Sequence, residues 1–185
     1  ETTCDHEKLV TVGLKGYIEE CRENIRNTVS CGREDQGKID FWKACIIQSE
    51  GLIEYARRMA AEAEAQAAAC ADEKRKKELL TIAENCRVVP ENPPRSFQQA
   101  LQLIWFVHVY FHIEVCTTAN GFGRFDQYMW PFYEKDVLIE KNITKDEALE
   151  MLECFYLKAC EVFEVRDKWY ATSFAGYPMW ELLVV

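Results

Sequence analysis

The stretch Gly123-Arg124-Phe125-Asp126-Gln127-Tyr128-Met129-Trp130-Pro131-Phe132-Tyr133 carries the clearest structural signal in the chain. Phe125, Tyr128, Met129, Phe132 and Tyr133 recur at the spacing of one helical face, so residues 125–137 read as an aromatic helix. Arg124, Asp126 and Gln127 sit among those rings. An Arg or Asp in such surroundings is costly to bury unless paired. An Arg–carboxylate link or a substrate contact would explain Arg124 and Asp126. The structural ion pair of the two is the favoured expectation, and Arg166 with Asp167 is a second close pair of the same kind. Just upstream, Gly121-Phe122-Gly123 has neither GxGxxG nor GxxxxGK spacing. It reads as a tight turn in which the glycines supply backbone freedom, with Asn120-Gly121 as the turn signal.

Working outward toward the N-terminus, Phe97 to Val115 is a helix that Ser96 can cap. Its run Leu101 to Val107 is apolar on every face except Gln102, so burial all round is expected. The segment Pro90-Glu91-Asn92-Pro93-Pro94 breaks the chain, because proline cannot donate within a helix. This break is read as an internal boundary and not as a domain boundary. Asp72 can accept from the free amides of a helix running to about Cys86. Before it, a long helix from about Ile39 to Ala69 ends in an Ala- and Glu-rich stretch, Ala60 to Ala71, expected to be an exposed arm. Ser30 to Lys38 reads as a polar loop and residues 7–26 as an amphipathic helix. The domain division expected is 1–37, a helical segment, and 38–185, part of a larger domain.

Toward the C-terminus, Thr144-Lys145-Asp146-Glu147 is a capping box opening a helix to about Phe163. Tyr177 to Val185 is apolar, ends in valines and reads as a buried strand with a bare edge. The chain is therefore expected to be a piece of something longer.

Composition excludes several classes of function. With 185 residues, 49% of them apolar, disorder is excluded. The 22 basic and 31 acidic residues give a net charge of −9, which argues against a nucleic-acid partner. No apolar run is long enough to span a membrane and no signal pattern opens the chain, so a cytoplasmic location is expected. The nine cysteines contain no CxxC pair. Cys21, Cys45, Cys86 and Cys154 fall on helical stripes, where a thiol packs as a small hydrophobe. His108 and His112 share a helical face but lack a third ligand, so hydrogen-bonded core histidines are favoured over a metal site. No Ser-His-Asp set can be assembled.

Several stretches carry a family resemblance. They are Phe41-Trp42-Lys43-Ala44 with Glu54-Tyr55-Ala56, and Leu80 to Cys86 leading into Val89 to Phe97. Gln98 to Gln102 comes next with Trp105 to His108, then Gly123 to Tyr133, and Glu147 to Cys154. In this order the sequence resembles the glycyl radical enzymes of the pyruvate formate-lyase-like family, over roughly residues 38–185, the middle part preceding the catalytic cysteine loop. The resemblance implies an α/β fold, a mostly helical segment of a ten-stranded α/β barrel. It implies a lyase, a decarboxylase or an acyl- or fumarate-adding transferase that makes or cleaves C–C or C–heteroatom bonds anaerobically. In that family a radical-SAM activating enzyme installs a glycyl radical, and a loop cysteine carries it to a small organic substrate.

Neither the Arg-Val-x-Gly-Tyr motif nor a Cys-Val-Glu loop occurs here. No catalytic residue, metal or cofactor is therefore assigned to this chain, which is expected to be inactive alone and homodimeric in its full-length form. Where diol and choline members carry a substrate-contacting His and Ser, the matching positions here are Thr118 and Ala119. That substitution implies a less polar pocket, of the arylacetate decarboxylase or hydrocarbon-adding kind. Thr117, Thr118, Asn120 and Phe122 occupy the matching loop and are the substrate-pocket candidates. The competing reading is a stand-alone helical interaction module without catalysis, which the Ala-rich arm would suit.

Overall fold

The computed structural model describes residues 2–28, 32–114, 120–161 and 168–173. These residues are mostly helical. The elements are β1 (Thr2–Thr3), α1 (His6–Asn27), α2 (Arg33–Ala69), α3 (Glu73–Val88), α4 (Phe97–Glu114), β2 (Asn120–Gly121), α5 (Phe125–Tyr133), a π-helical segment Glu134–Ile139, α6 (Lys145–Ala159) and α7 (Lys168–Ser173). Their contacts fall into two compact units, residues 8–94 and residues 1–7 with 95–185. The division falls at Pro94, at the proline-rich break, although that break did not read as a domain boundary. Residue 37, where the sequence suggested a division, lies inside α2.

Unit 8–94 is built on a helical hairpin. In α2, Leu52, Ile53, Ala56, Ala60, Ala63 and Ala67 are buried at helical spacing. In α3, the buried residues include Leu79, Ala83 and Cys86. The two helices pack side by side, and alanine at the seam lets the backbones approach closely. The Ala-rich stretch is thus half core: one face closes on α3 and only the other is exposed. α2 also begins earlier than the sequence suggested, at Arg33, and takes Gly37 into the helix. Asp72 caps α3 as expected, its Oδ1 accepting from the Lys74 and Arg75 amides.

The break within α1 was not visible in the sequence. Gly13 has φ 66° and ψ 176°, which no helix contains. A Cβ there would lie 2.6 Å from the carbonyl carbon of Asn92 and 2.7 Å from the Glu91 oxygen, so only glycine fits. The break frees the amides of Leu14 and Lys15, and these donate to the carbonyls of Pro90 and Glu91, each at 2.9 Å. The proline-rich turn therefore caps a second helical start within α1, using backbone alone.

The other unit contains the parallel pair β1 and β2, with Thr2 opposite Asn120 and Thr3 opposite Gly121. Asn120-Gly121 is therefore strand and not the turn its composition suggested. A parallel pair requires a long crossover, here the chain from α1 to α4. Positive φ is confined to Gly123 in this segment. Ser96 caps α4, with its Oγ accepting from the Gln99 amide, and Thr144 and Glu147 form the expected capping box at α6. After α5 the chain widens into a π-helical segment that buries Asp136. Asp136 Oδ2 accepts from the Phe97 amide at 2.7 Å, which ties the segment to the first turn of α4. Its carbonyl also accepts from Asn142 at 2.8 Å.

The strand expected at 177–185 lies outside the described residues.

Candidate functional site

Four helices, α1, α4, α5 and α6, gather side chains distant in sequence around Phe122 in the segment after β2. Phe122 is 2% exposed. Its ring centroid lies 4.9 Å from His108, 5.1 Å from Phe155, 6.2 Å from Phe125 and 6.4 Å from His6. His108 meets His112 edge to face at 4.6 Å, and His6 lies 5.5 Å from Tyr128. All three histidines of the chain thus gather about one aromatic core.

Local sequence explains each placement. His108 is fully buried because α4 is apolar around its circumference, and His112 comes one turn later on the same face. Phe155 sits on the Ala148–Phe155–Ala159 stripe of α6. Tyr128 is brought inward by the aromatic face of α5, and its hydroxyl donates to the Phe122 carbonyl at 2.7 Å in a buried setting. His6 begins α1 shortly after β1 and closes the cluster from the N-terminal side.

The cluster favours neutral groups. Burial, opposed only by Asp5, pushes His6 down to about 4. Burial first, then neighbouring His112 and His6, pushes His108 down to about 4. Burial pushes the Tyr128 phenol well above its ordinary value, with Tyr156, Cys4 and Asp126 adding to the effect. Cys4 is pushed up to about 11 by burial and Asp5. None of these groups is tuned as a nucleophile or as an acid–base catalyst near neutrality. Among the described residues, no group of three or more His, Cys, Asp or Glu side chains is arranged to hold a metal ion. The cluster can therefore position and exclude water, and it brings no proton transfer of its own.

The sequence-derived site residues divide. Thr117, Thr118, Arg166 and Asp167 lie outside the described residues. Asn120 contributes its backbone to β2. Phe122 is placed as the enclosed centre of the aromatic cluster. Arg124 and Asp126 do approach, with Nε 3.7 Å from Oδ1, but their side chains are 67% and 77% exposed. The expected cost of burying them does not arise, because α5 turns its Tyr128–Met129 face inward and leaves these two outside. Of the cysteines on stripes, Cys21 and Cys86 are buried, whereas Cys154 is exposed on α6. His6 and Asp136 were missed by the sequence reading. Neither has a local signature, since their partners stand over a hundred and nearly forty residues away.

Among the described residues, no helix is long and apolar enough to cross a membrane.

The pyruvate formate lyase-like family model matches residues 1–185. The chain is 40% identical over 184 residues to the isethionate sulfite-lyase of Nitratidesulfovibrio vulgaris, covering 98% of this chain and 22% of that protein. A solved structure describing 1,2-propanediol dehydration in Roseburia inulinivorans superposes with a TM-score of 0.88 at 37% identity, covering 96% of this chain and 21% of that one. The glycerol-bound B12-independent glycerol dehydratase of Clostridium butyricum gives a TM-score of 0.88 at 37% identity, covering 96% of this chain and 22% of that one. The chain thus spans about a fifth of the length of the relatives it matches. The matched stretch lies in their N-terminal part and not, as the sequence suggested, in the middle.

Proposed function

From a chain that belongs to the pyruvate formate lyase-like family, we propose that it forms the opening part of a glycyl radical enzyme of the lyase or dehydratase type. The observation that carries this reading is the match over residues 1–185, together with the superposition on solved dehydratase structures at a TM-score of 0.88. The relatives named above cleave or dehydrate small organic molecules, and a small organic substrate is the corresponding choice here.

Within such an enzyme, β1 and β2 are two adjacent parallel strands of an α/β barrel. Their parallel register and the helical crossover between them suit that architecture. The role of this part is to shape and dry the pocket. The segment 120–122 supplies a wall, and the cluster behind Phe122 holds the Phe122 backbone. Radical-bearing Gly and Cys residues come from elsewhere in the protein. A radical-SAM activating enzyme generates the glycyl radical, the reaction runs anaerobically in the cytoplasm, and the enzyme works as a homodimer. Thr118 and Ala119 in place of a polar His and Ser favour a less polar substrate than a triol.

The reading is tested by electron paramagnetic resonance on the full-length protein, incubated anaerobically with an activating enzyme and S-adenosylmethionine. A carbon-centred radical located on glycine by deuterium labelling is expected. A full-length protein that folds but shows no such radical, and lacks the cysteine loop in its remaining sequence, overturns the proposal in favour of a non-catalytic helical module.

A further inference from the structure

We infer that His6 is a positioning residue: its neutral ring clasps the 120–123 segment onto β1, and protonation opens the clasp. The inference needs only the geometry of the unit that holds both segments and does not depend on radical chemistry. β1 is two residues long and holds β2 by a two-residue parallel register, too little to persist alone. Shortly after β1 comes His6, 3% exposed, with its ring against Phe122 and Tyr128. The Tyr128 hydroxyl in turn holds the Phe122 carbonyl. The ring therefore bears on the side chain of Phe122 and on the residue that anchors its backbone.

The clasp suits a neutral ring only. Nε2 of His6 is fully buried and has no hydrogen-bond partner among the described residues. A proton there would be a charge without an acceptor. The groups around it are Asp5 and Cys4 in its own segment, Tyr128 from α5, and His108 from α4 with His112 behind it. Of these, Asp5 eases protonation, while a positive charge on His108 would oppose one on His6. A ring that titrates at 6.5 when released and about 4 when clasped favours release about twentyfold more at pH 5 than at pH 7.

The test is hydrogen–deuterium exchange on the full-length protein at pH 7.5 and pH 5, corrected for intrinsic exchange rates. Wild type, His6→Phe and His6→Ala are compared. Peptides from α4 and α6 at pH 7.5 serve as an internal gauge that the unit holding residues 120–123 is folded in each variant; if His6→Phe fails that gauge, His6→Gln replaces it as a neutral side chain. In wild type, protection of residues 120–123 is expected to fall by tenfold or more at pH 5. In the neutral-side-chain variant the fall is expected to be several-fold smaller, the remainder coming from His108, which the variant keeps, and in His6→Ala protection is expected to be low at both pH values. Equal acid loss in wild type and the neutral variant overturns the inference, as does wild-type protection in His6→Ala at pH 7.5. A merely structural His6 would leave no pH difference between wild type and the neutral variant.

Discussion

Residues 8–94 and the unit containing 95–161 are held together by different materials. The first packs alanines along the α2–α3 seam and closes α1 with backbone hydrogen bonds at Gly13. The second packs rings around Phe122 and ties its π-helical segment to α4 with a buried carboxylate. Small side chains and amides do not titrate, so the α2–α3 seam and the Gly13 cap carry no acid-sensitive contact. Imidazoles do titrate, and the second unit has put two strongly shifted ones in its core. Rings exclude water from a core, and where imidazoles are among them acid sensitivity comes along.

Acid is the broadest way to separate the two. His6 and His108 have folded values lowered from 6.5 to about 4, so the unfolded chain binds protons first. Their contribution is complete above 6.5 and is lost as pH falls from 6.5 toward 4. Each group costs up to about 2 kcal/mol by pH 5, from 1.36 kcal/mol per pH unit. Hydrogen exchange at pH 5 should therefore loosen α4, α5 and α6 by this amount and leave α2 and α3 unchanged. Uniform loosening of both would erase the distinction.

Gly13→Ala should act in the opposite region. The new Cβ meets backbone atoms of Asn92 and Glu91 at 2.6 and 2.7 Å, in a conformation with φ 66° that L residues avoid. Strain plus displacement of the capping turn is expected to cost about 3 kcal/mol. The loss should be read in exchange of residues 8–27 and 88–94 and be the same at pH 7.5 and pH 5. A variant with unaltered protection there would mean that the turn moves aside freely.

Asp136→Ala returns to the ring-built unit. It leaves the buried Phe97 amide without its 2.7 Å acceptor and should cost about 2 kcal/mol. Protection of the first turn of α4 reports the effect, and Asp136→Asn should restore part of it by offering a carbonyl oxygen.

These residues also mark where sequence reasoning reached its limit. Asp72, Ser96 and the Thr144–Glu147 box were legible because a cap acts within three residues of itself. The aromatic helix and the buried α4 were legible from their periodicity. Gly13 was not, because its reason for being glycine is a carbonyl nearly eighty residues away. Asn120-Gly121 misled for a related cause: a strong local turn signal yields when a distant strand supplies hydrogen bonds. His6 and Asp136 belong to the same class, since long-range packing decides their roles and leaves no local pattern. The family likeness was readable over roughly residues 38–185, whereas the geometry of the cluster was not.

Arg124→Ala gives the smallest expected effect and the sharpest test of how the aromatic helix is oriented. Among aromatic neighbours a buried guanidinium pair would leave its partner uncompensated on truncation, at about 3–5 kcal/mol. The structure instead places Arg124 and Asp126 3.7 Å apart with both side chains exposed, where a pair is worth at most about 1 kcal/mol. Thermal unfolding of full-length Arg124→Ala should therefore differ from wild type by no more than about 1 kcal/mol, and added salt should shrink the difference. A loss near 3–5 kcal/mol that persists at high salt would mean that other parts of the full-length protein enclose the pair. It would also make the outer face of α5 a second buried surface beside the one around Phe122.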